Sequence, residues 1–154
     1  MKFEHIVQIN DLTKPEIPPL TRSQVWEGLV LRARRPDKFL VGVEDYEILE
    51  QTPGYLKRCV QLPGVEVIDE VRFFAEYQVD YSILPSETVP ASSLVMDIEE
   101  PEPGALFVRF SYHAGSIESA GDSMPYDEYL KQAYVMTDID TVQIIRDLAS
   151  TGAF

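Results

Sequence analysis

Arg58 and Asp69 are the charged residues whose spacing suggests a common site. If Pro63-Gly64 forms a two-residue hairpin turn, Arg58 lies directly opposite Asp69 on an otherwise apolar strand face. Because each charge is costly to remove from water alone, their opposition is physically reasonable. Counting on through Pro53-Gly54 places Glu47 diagonally from Arg58. The pattern indicates either a site that orients a ligand carboxylate or carbonyl, or a structural ion pair, while a one-residue register slip would turn all three outward.

Tyrosines on apolar faces form a second candidate set. Tyr81, Tyr112 and Tyr134 each carry a hydroxyl that needs either an internal partner or a ligand. His113, at a strand end, has a side chain suited to general base catalysis, although a single histidine in that position is more often simply exposed.

Several other kinds of site find no support. Cys59 is the single cysteine and has no nucleophile motif around it, and two histidines are too few for a classical Cys/His zinc site. Asp138 and Asp140 bracket the inner face of a predicted helix, but further oxygen ligands for a divalent metal are missing. A glycine-rich phosphate loop is also missing. We therefore expect no metal and no cofactor.

Length, composition and charge limit the possible classes of protein. The chain has 154 residues, the size of one domain, and its 45% hydrophobic content excludes general disorder. Acidic residues outnumber Lys and Arg by 26 to 13, and the resulting charge of -13 disfavours a nucleic-acid partner. No apolar run could cross a bilayer, and the first residues lack the apolar segment of a signal peptide. We expect a cytoplasmic protein without membrane insertion.

The elements that must position these residues follow from periodicity. A first strand is predicted over 3–9, a helix over 24–34 and a short helical turn over 37–41. Alternating patterns separated by Pro-Gly pairs then predict six antiparallel strands. Their predicted ranges are 45–51, 55–62, 65–74, 76–84, 92–99 and 106–113.

A long helix is predicted from Pro125 to Ser150, with Asp122 or Ser123 as cap and Gly152 as terminator. Its predicted inner face is large at both ends and small in the middle. The face consists of Tyr126, Leu130, Ala133, Thr137, Thr141, Ile144 and Leu148. Small central residues indicate either a gap that forms a pocket or tight packing against larger residues of the sheet.

The order of strand, two short helices, about six further strands and a long helix resembles the helix-grip fold of the START-like, or SRPBCC, superfamily. In that α+β fold a curved antiparallel sheet of about six to seven strands wraps around the C-terminal helix. Four segments resemble the AtaL-like subfamily in particular. They are Trp26-Glu27-Gly28-Leu29-Val30-Leu31-Arg32-Ala33, Ser93-Leu94-Val95-Met96-Asp97-Ile98-Glu99-Glu100, Leu106-Phe107-Val108-Arg109-Phe110 and Asp138-Ile139-Asp140-Thr141-Val142.

The resemblance implies a ligand-binding domain with an apolar cavity between sheet and helix, and it favours the pocket interpretation of the small helix face. The expected ligand is a small hydrophobic or aromatic molecule, and no catalytic residue is required. The expected cavity residues are Arg58, Asp69, Tyr81, Met96, Phe110, Tyr112, Leu130, Ala133, Tyr134, Thr137 and Thr141. A polyketide cyclase, aromatase or dehydratase using the same cavity is the alternative, and an interaction module using the acidic surface is a third. Exposed strand edges and the apolar face at Val25 and Trp26 make a homodimer plausible.

Overall fold

The computed structural model describes residues 1–114 and 123–154, with side chains in the second range from residue 126 onward. The elements are β1 (Lys2–Gln8), α1 (Arg22–Arg34), a 3-10 turn (Pro36–Lys38), β2 (Asp45–Thr52), β3 (Tyr55–Leu62), β4 (Val65–Phe74), β5 (Gln78–Ile83), β6 (Ser92–Glu99), β7 (Phe107–Ala114) and α2 (Ser123–Ser150). This order confirms the predicted α+β fold class. None of the helices in the described ranges has the length and apolarity that a bilayer span requires.

The seven strands form one antiparallel sheet in the order β1-β7-β6-β5-β4-β3-β2. The β3–β4 hairpin has the register predicted from its turn, with Leu62 opposite Val65 and Arg58 opposite Asp69. Gly64 has a φ of 75° and provides the positive backbone angle of this turn. The first strand pairs with the last, so β1 brings the start of the chain beside β7.

Strand β2 departs from the predicted register. A β-bulge between Ile48 and Glu50 inserts one extra residue, so Ile48 rather than Leu49 lies opposite Arg58. Glu47 pairs with Cys59 on the other face of the sheet and is exposed. The interpretation that grouped Glu47 with Arg58 is therefore wrong, because a bulge shifts every side chain beyond it.

Helix α1 begins with a capping box, in which the Thr21 hydroxyl accepts from the Gln24 backbone N–H at 3.1 Å and the Gln24 side chain accepts from Thr21 N–H at 2.9 Å. The helix lies close to α2. A Cβ atom added at Gly28 would lie 2.5 Å from Cγ1 of Ile145, so this glycine permits the close approach of the two helices.

Helix α2 has the predicted C-terminal end, where Gly152 adopts a φ of 82° and its N–H donates to the Ala149 carbonyl. Of the two predicted caps, Ser123 is already helical and Asp122 lies outside the described residues.

The inner face of α2 is rotated by about one residue relative to the prediction. Its fully buried residues from residue 126 onward are Asp138, Thr141, Val142 and Ile145. Tyr126 is 54% exposed, so it does not close the end of a cavity as the pattern suggested. The rotation turns Asp138 toward β1 and β7, where His5 and Tyr112 are its hydrogen-bond partners.

The hydrophobic core lies between α1, the inner side of α2 and one face of the sheet. Val25 is 0% exposed and Trp26 is 8% exposed, so they belong to this core rather than to a free surface. One of the two reasons given for a homodimer, the apolar face at Val25 and Trp26, is therefore wrong, and the homodimer itself stays a prediction.

Candidate functional site

A cavity of about 370 Å³ lies between the helices and the sheet strands β3 to β7. Most of its wall is apolar. The aliphatic lining residues are Leu40, Val60, Leu62, Val67, Ile83, Val89 and Leu94. The volume falls in the range of roughly 300–1,000 Å³ that is typical of small-molecule sites. Its polar groups are few, and their positions indicate what the cavity can recognise.

Arg58 and Asp69 form a bidentate ion pair in the cavity wall. Arg58 Nε and Nη2 donate to the two carboxylate oxygens of Asp69 at 2.8 and 3.0 Å. Arg58 Nη1 also donates to the Ala33 carbonyl at 2.8 Å, at the end of α1. Both side chains are at most 5% exposed. The pair therefore attaches the β3–β4 hairpin to α1, which gives it a structural role whether or not a ligand is present.

Arg32, on α1, places a second guanidinium in the wall. It is 5% exposed, and its Nε donates to the Thr141 hydroxyl at 3.3 Å. Its Cζ atom lies 5.4 Å from the ring centroid of Tyr81, while Cζ of Arg58 lies 5.1 Å from the same centroid. Two cations therefore lie against one aromatic ring.

Asp138 is the centre of a buried hydrogen-bonded cluster. The Tyr112 hydroxyl donates to its two oxygens at 2.8 and 2.7 Å, and His5 Nε2 lies 2.6 Å from Oδ2. Asp138 is 0% exposed. Tyr112 is the member of this cluster that lines the cavity, and its ring stacks on Tyr134 at 3.9 Å between centroids. The cluster joins α2 to β1 and β7.

Burial changes the proton affinities in this cluster. It raises the pKa of Asp138 above its ordinary value, although hydrogen bonds from Tyr112 and His5 act in the opposite direction. Burial, with Asp138 nearby, also raises the pKa of Tyr112. Tyr112 therefore keeps its proton and donates it in a hydrogen bond, whereas the Asp138 carboxyl can exchange a proton nearer to neutral pH than an exposed aspartate.

The sequence model of the family described as acetylaranotin biosynthesis cluster protein L, AtaL, matches residues 7–152. The chain belongs to the AtaL family. The match includes both helices, six of the seven strands and the end of the other. It therefore confirms the AtaL-like resemblance predicted from the four sequence segments. Comparison with curated proteins finds no match.

Solved structures show that this AtaL-family chain has the helix-grip fold. The di-domain aromatase/cyclase StfQ from the steffimycin biosynthetic pathway superposes with a TM-score of 0.72 at 11% identity, over 99% of this chain and 51% of StfQ. The chain thus spans about half of that protein. The ZhuI aromatase/cyclase from Streptomyces sp. R1128 has a TM-score of 0.65 at 16% identity, covering 100% and 96% of the two chains. Ara h 8.0201 has a TM-score of 0.63 at 15% identity, covering 98% of each.

The structure brings six of the eleven predicted cavity residues of this AtaL-family member to the wall. They are Arg58, Asp69, Tyr81, Tyr112, Tyr134 and Thr137. Met96, Phe110 and Thr141 are each 0% exposed and lie in the packed interior outside the lining, while Leu130 and Ala133 on α2 are half-buried and also outside it. These five do not line this cavity, because the rotation of α2 and the tight packing of β6 and β7 fill their part of the interior, and a role for them in ligand binding stays a prediction.

Three further polar residues lie outside this set of six. His113 is exposed and is also among the residues that line the cavity. Asp140 is exposed. Arg109 binds Glu99 at 2.6 Å and Glu4 at 2.6 Å on the outer face of the sheet. Asp140 and Arg109 are not part of the cavity lining.

Sequence reasoning missed Arg32 as a cavity residue and missed the partners of Asp138. A signal existed for both. Arg32 continues the buried spacing of Val25 and Leu29 by steps of four and three, and Asp138 stands in the same relation to Val142 and Ile145. A charged residue at a position that the helical period assigns to the core is a candidate for an internal polar site.

Proposed function

We propose that this chain is a single START-like domain that binds a small hydrophobic or aromatic molecule in the cavity between the sheet and α2. The observation that carries the proposal is the cavity itself, about 370 Å³ in volume with a largely aliphatic wall. Burying apolar surface is worth about 25 cal/mol per Å², so a ligand that covers this wall gains affinity without any catalytic group.

Aromatic side chains favour an aromatic ligand over a purely aliphatic one. Tyr81, Tyr112 and Tyr134 all line the cavity, and the stacked pair of Tyr112 and Tyr134 presents flat surfaces on which another ring can pack. Arg58 and Asp69 contribute the edges of their ion pair to the same wall, and Thr137 contributes the small surface of α2.

The test uses the neutral fluorescent hydrophobe Nile red. Thr137 lines the cavity, so Thr137→Trp should fill part of it and weaken dye binding by about tenfold or more. The neighbouring Met136 is 67% exposed, and Met136→Trp adds the same indole outside the cavity as a matched control.

Circular dichroism of both variants would show whether the fold is retained. Equal dye binding by folded Thr137→Trp and wild type would refute the cavity as the binding site. In a separate experiment, native mass spectrometry of protein purified from its own host would identify a retained ligand by its added mass.

An enzyme of the polyketide cyclase, aromatase or dehydratase kind is the second candidate. Two observations favour it: the fold is that of aromatase/cyclases, which is an argument by analogy, and Tyr112 joins the cavity to a buried carboxyl group at Asp138. In this mechanism Tyr112 would give its proton to the substrate and take one from the Asp138 carboxyl, whose pKa burial raises. Arg58 is less suited to polarise a carbonyl, since Asp69 and Ala33 already use its donors.

A set of poly-β-ketone thioester mimics, with products separated by mass, tests the enzymatic alternative. Turnover should fall about a hundredfold or more in Tyr112→Phe, whose fold and dye binding serve as controls. Absence of any turnover by wild type across the set would reject the enzyme and leave the binding proposal intact.

A further inference from the structure

Arg32 is a buried cation whose donors are mostly unused. It is 5% exposed, and among the described residues only its Nε has a hydrogen-bond partner, the Thr141 hydroxyl at 3.3 Å. A guanidinium carries five N–H donors, so the four on its terminal nitrogens remain available. A buried charge without such partners is costly, which makes this arrangement informative about what the cavity is built to accept.

Neighbouring carboxylates do not satisfy Arg32. Asp69 uses both of its oxygens on Arg58. Asp138 receives hydrogen bonds from Tyr112 and lies against His5, and no ion pair between Arg32 and any acid occurs within the described ranges. In the described part of the chain, Arg32 is thus a cavity-lining cation without a direct counter-charge.

Tyr81 provides a second unused donor in the same wall. Its side chain is 3% exposed, and its hydroxyl is buried with no hydrogen-bond partner in the described structure. The Arg32 guanidinium lies 5.4 Å from the Tyr81 ring centroid, and both residues line the cavity. Buried polar groups are nearly always paired, so two unpaired donors together indicate a missing acceptor.

We propose that Arg32 and the Tyr81 hydroxyl form a subsite for the carboxylate group of an otherwise apolar, aromatic ligand. This inference rests on the proposed binding function and specifies the chemical class of its ligand. A carboxylate matches the planar fork of a guanidinium and carries one charge. A phosphate would bring more negative charge close to Asp69 and Asp138. The apolar body of the ligand covers the aliphatic wall.

The test compares naphthoate with its neutral isostere naphthamide, each titrated calorimetrically into the full chain. Wild type should bind naphthoate at least about tenfold more tightly than naphthamide, because the carboxylate pairs its charge with the guanidinium whereas the amide is neutral. Arg32→Met should remove that preference. Arg34 is exposed on the same helix, so Arg34→Met makes the same change in net charge as a matched control and should leave both affinities unchanged.

Tyr81→Phe provides an independent variant, because it removes an unpartnered hydroxyl and keeps the ring. Its preference for naphthoate should fall roughly threefold to tenfold. If Arg32→Met does not fold, an unchanged preference in Tyr81→Phe overturns the subsite.

The outcomes separate the subsite from the binding function. A wild type that binds both probes equally, or an Arg32→Met variant that keeps the naphthoate preference, would overturn the subsite and leave the cavity proposal standing. A wild type that binds neither probe nor Nile red would overturn both.

Discussion

Asp69 and Asp138 are two buried acidic residues near the same cavity, and the structure stabilises them in different ways. Asp69 forms a bidentate pair with the permanent charge of Arg58, a residue 11 positions away on the adjacent strand. Asp138 instead has a tyrosine hydroxyl and a histidine as partners, 26 and 133 positions away. The comparison contrasts a carboxylate that faces a permanent cation with a buried carboxyl that has no such cation bonded to it and whose pKa burial raises above its ordinary value.

The largest expected effect comes from removing the carboxylate charge of Asp69 beside Arg58. Asp69→Asn leaves Arg58 buried with a poor partner, and we expect a loss of about 3–5 kcal/mol in the free energy of unfolding. Urea denaturation measures it. The double variant Arg58→Met with Asp69→Asn should recover part of the loss, because it removes the uncompensated cation.

The exposed pair of Arg35 and Asp37 is the control, and Asp37→Asn should leave the urea midpoint unchanged. A loss in Asp69→Asn no greater than in Asp37→Asn would contradict the structural role of the buried pair.

An intermediate effect is expected when the buried cluster around Asp138 loses the Tyr112 hydroxyl. Tyr112→Phe removes the hydroxyl that donates to both oxygens of Asp138 and keeps the ring stacked on Tyr134, so we expect a loss of about 1–3 kcal/mol. Tyr129 is 69% exposed on α2, and Tyr129→Phe is a control that should change nothing. Equal urea midpoints for the two variants would show that the Tyr112 hydrogen bonds do not stabilise the fold.

The smallest effect is expected for Asp138→Asn at neutral pH, about 1 kcal/mol or less, because an amide still accepts from Tyr112. It should be clearly smaller than the loss in Asp69→Asn, although the chemical change is the same. Similar losses at the two positions would show that the bonded Arg58 cation does not distinguish Asp69 from Asp138.

The pH dependence sharpens the same comparison. Burial raises the pKa of Asp138 in the folded state, while the unfolded value stays near 3.8. Between these two values the folded chain holds a proton that the unfolded chain has lost, so this group's contribution to stability falls as pH rises through the window. Asp138→Asn cannot titrate, so the difference between wild-type and variant stability should decrease from about pH 4 upward and then become constant. Repeating both stability curves in a His5→Gln background separates the contribution of the neighbouring imidazole. A difference between wild type and variant that does not change with pH would contradict the raised pKa of Asp138.

The pairing of Arg58 with Asp69 in the β3–β4 hairpin was largely predictable from the sequence. Pro63-Gly64 and the alternation on either side of it place Arg58 opposite Asp69, and that register is observed. The prediction failed one strand further on, at β2, where the bulge after Ile48 moves Glu47 to the outer face. A bulge leaves no clear pattern in sequence, because it changes the pairing of residues without changing their types.

The length of α2 was predictable from the sequence, but the face that it turns toward the sheet was not. The α2 boundaries follow from composition and from Gly152, whereas the inward position of Asp138 conflicts with the rule that charged residues face water. Five residues predicted for the cavity wall lie outside it. Two on α2 are turned away by the rotation of the helix, and the other three are enclosed in the packed core. Arg32 shows the same limit on α1, since its burial depends on Thr141 of the other helix.

The sequence by itself determined the order of the elements, the fold family and the buried Arg58–Asp69 ion pair that joins neighbouring strands. These depend on residues close together in the chain, whose periodicity and turn types are visible without coordinates. Only the tertiary structure decided which face of α2 meets the sheet, and hence that His5, Tyr112 and Asp138 form one cluster while Arg32 and Tyr81 share a cavity wall. The His5, Tyr112 and Asp138 cluster joins the two ends of the chain because β1 pairs with β7, a long-range contact that no local pattern encodes.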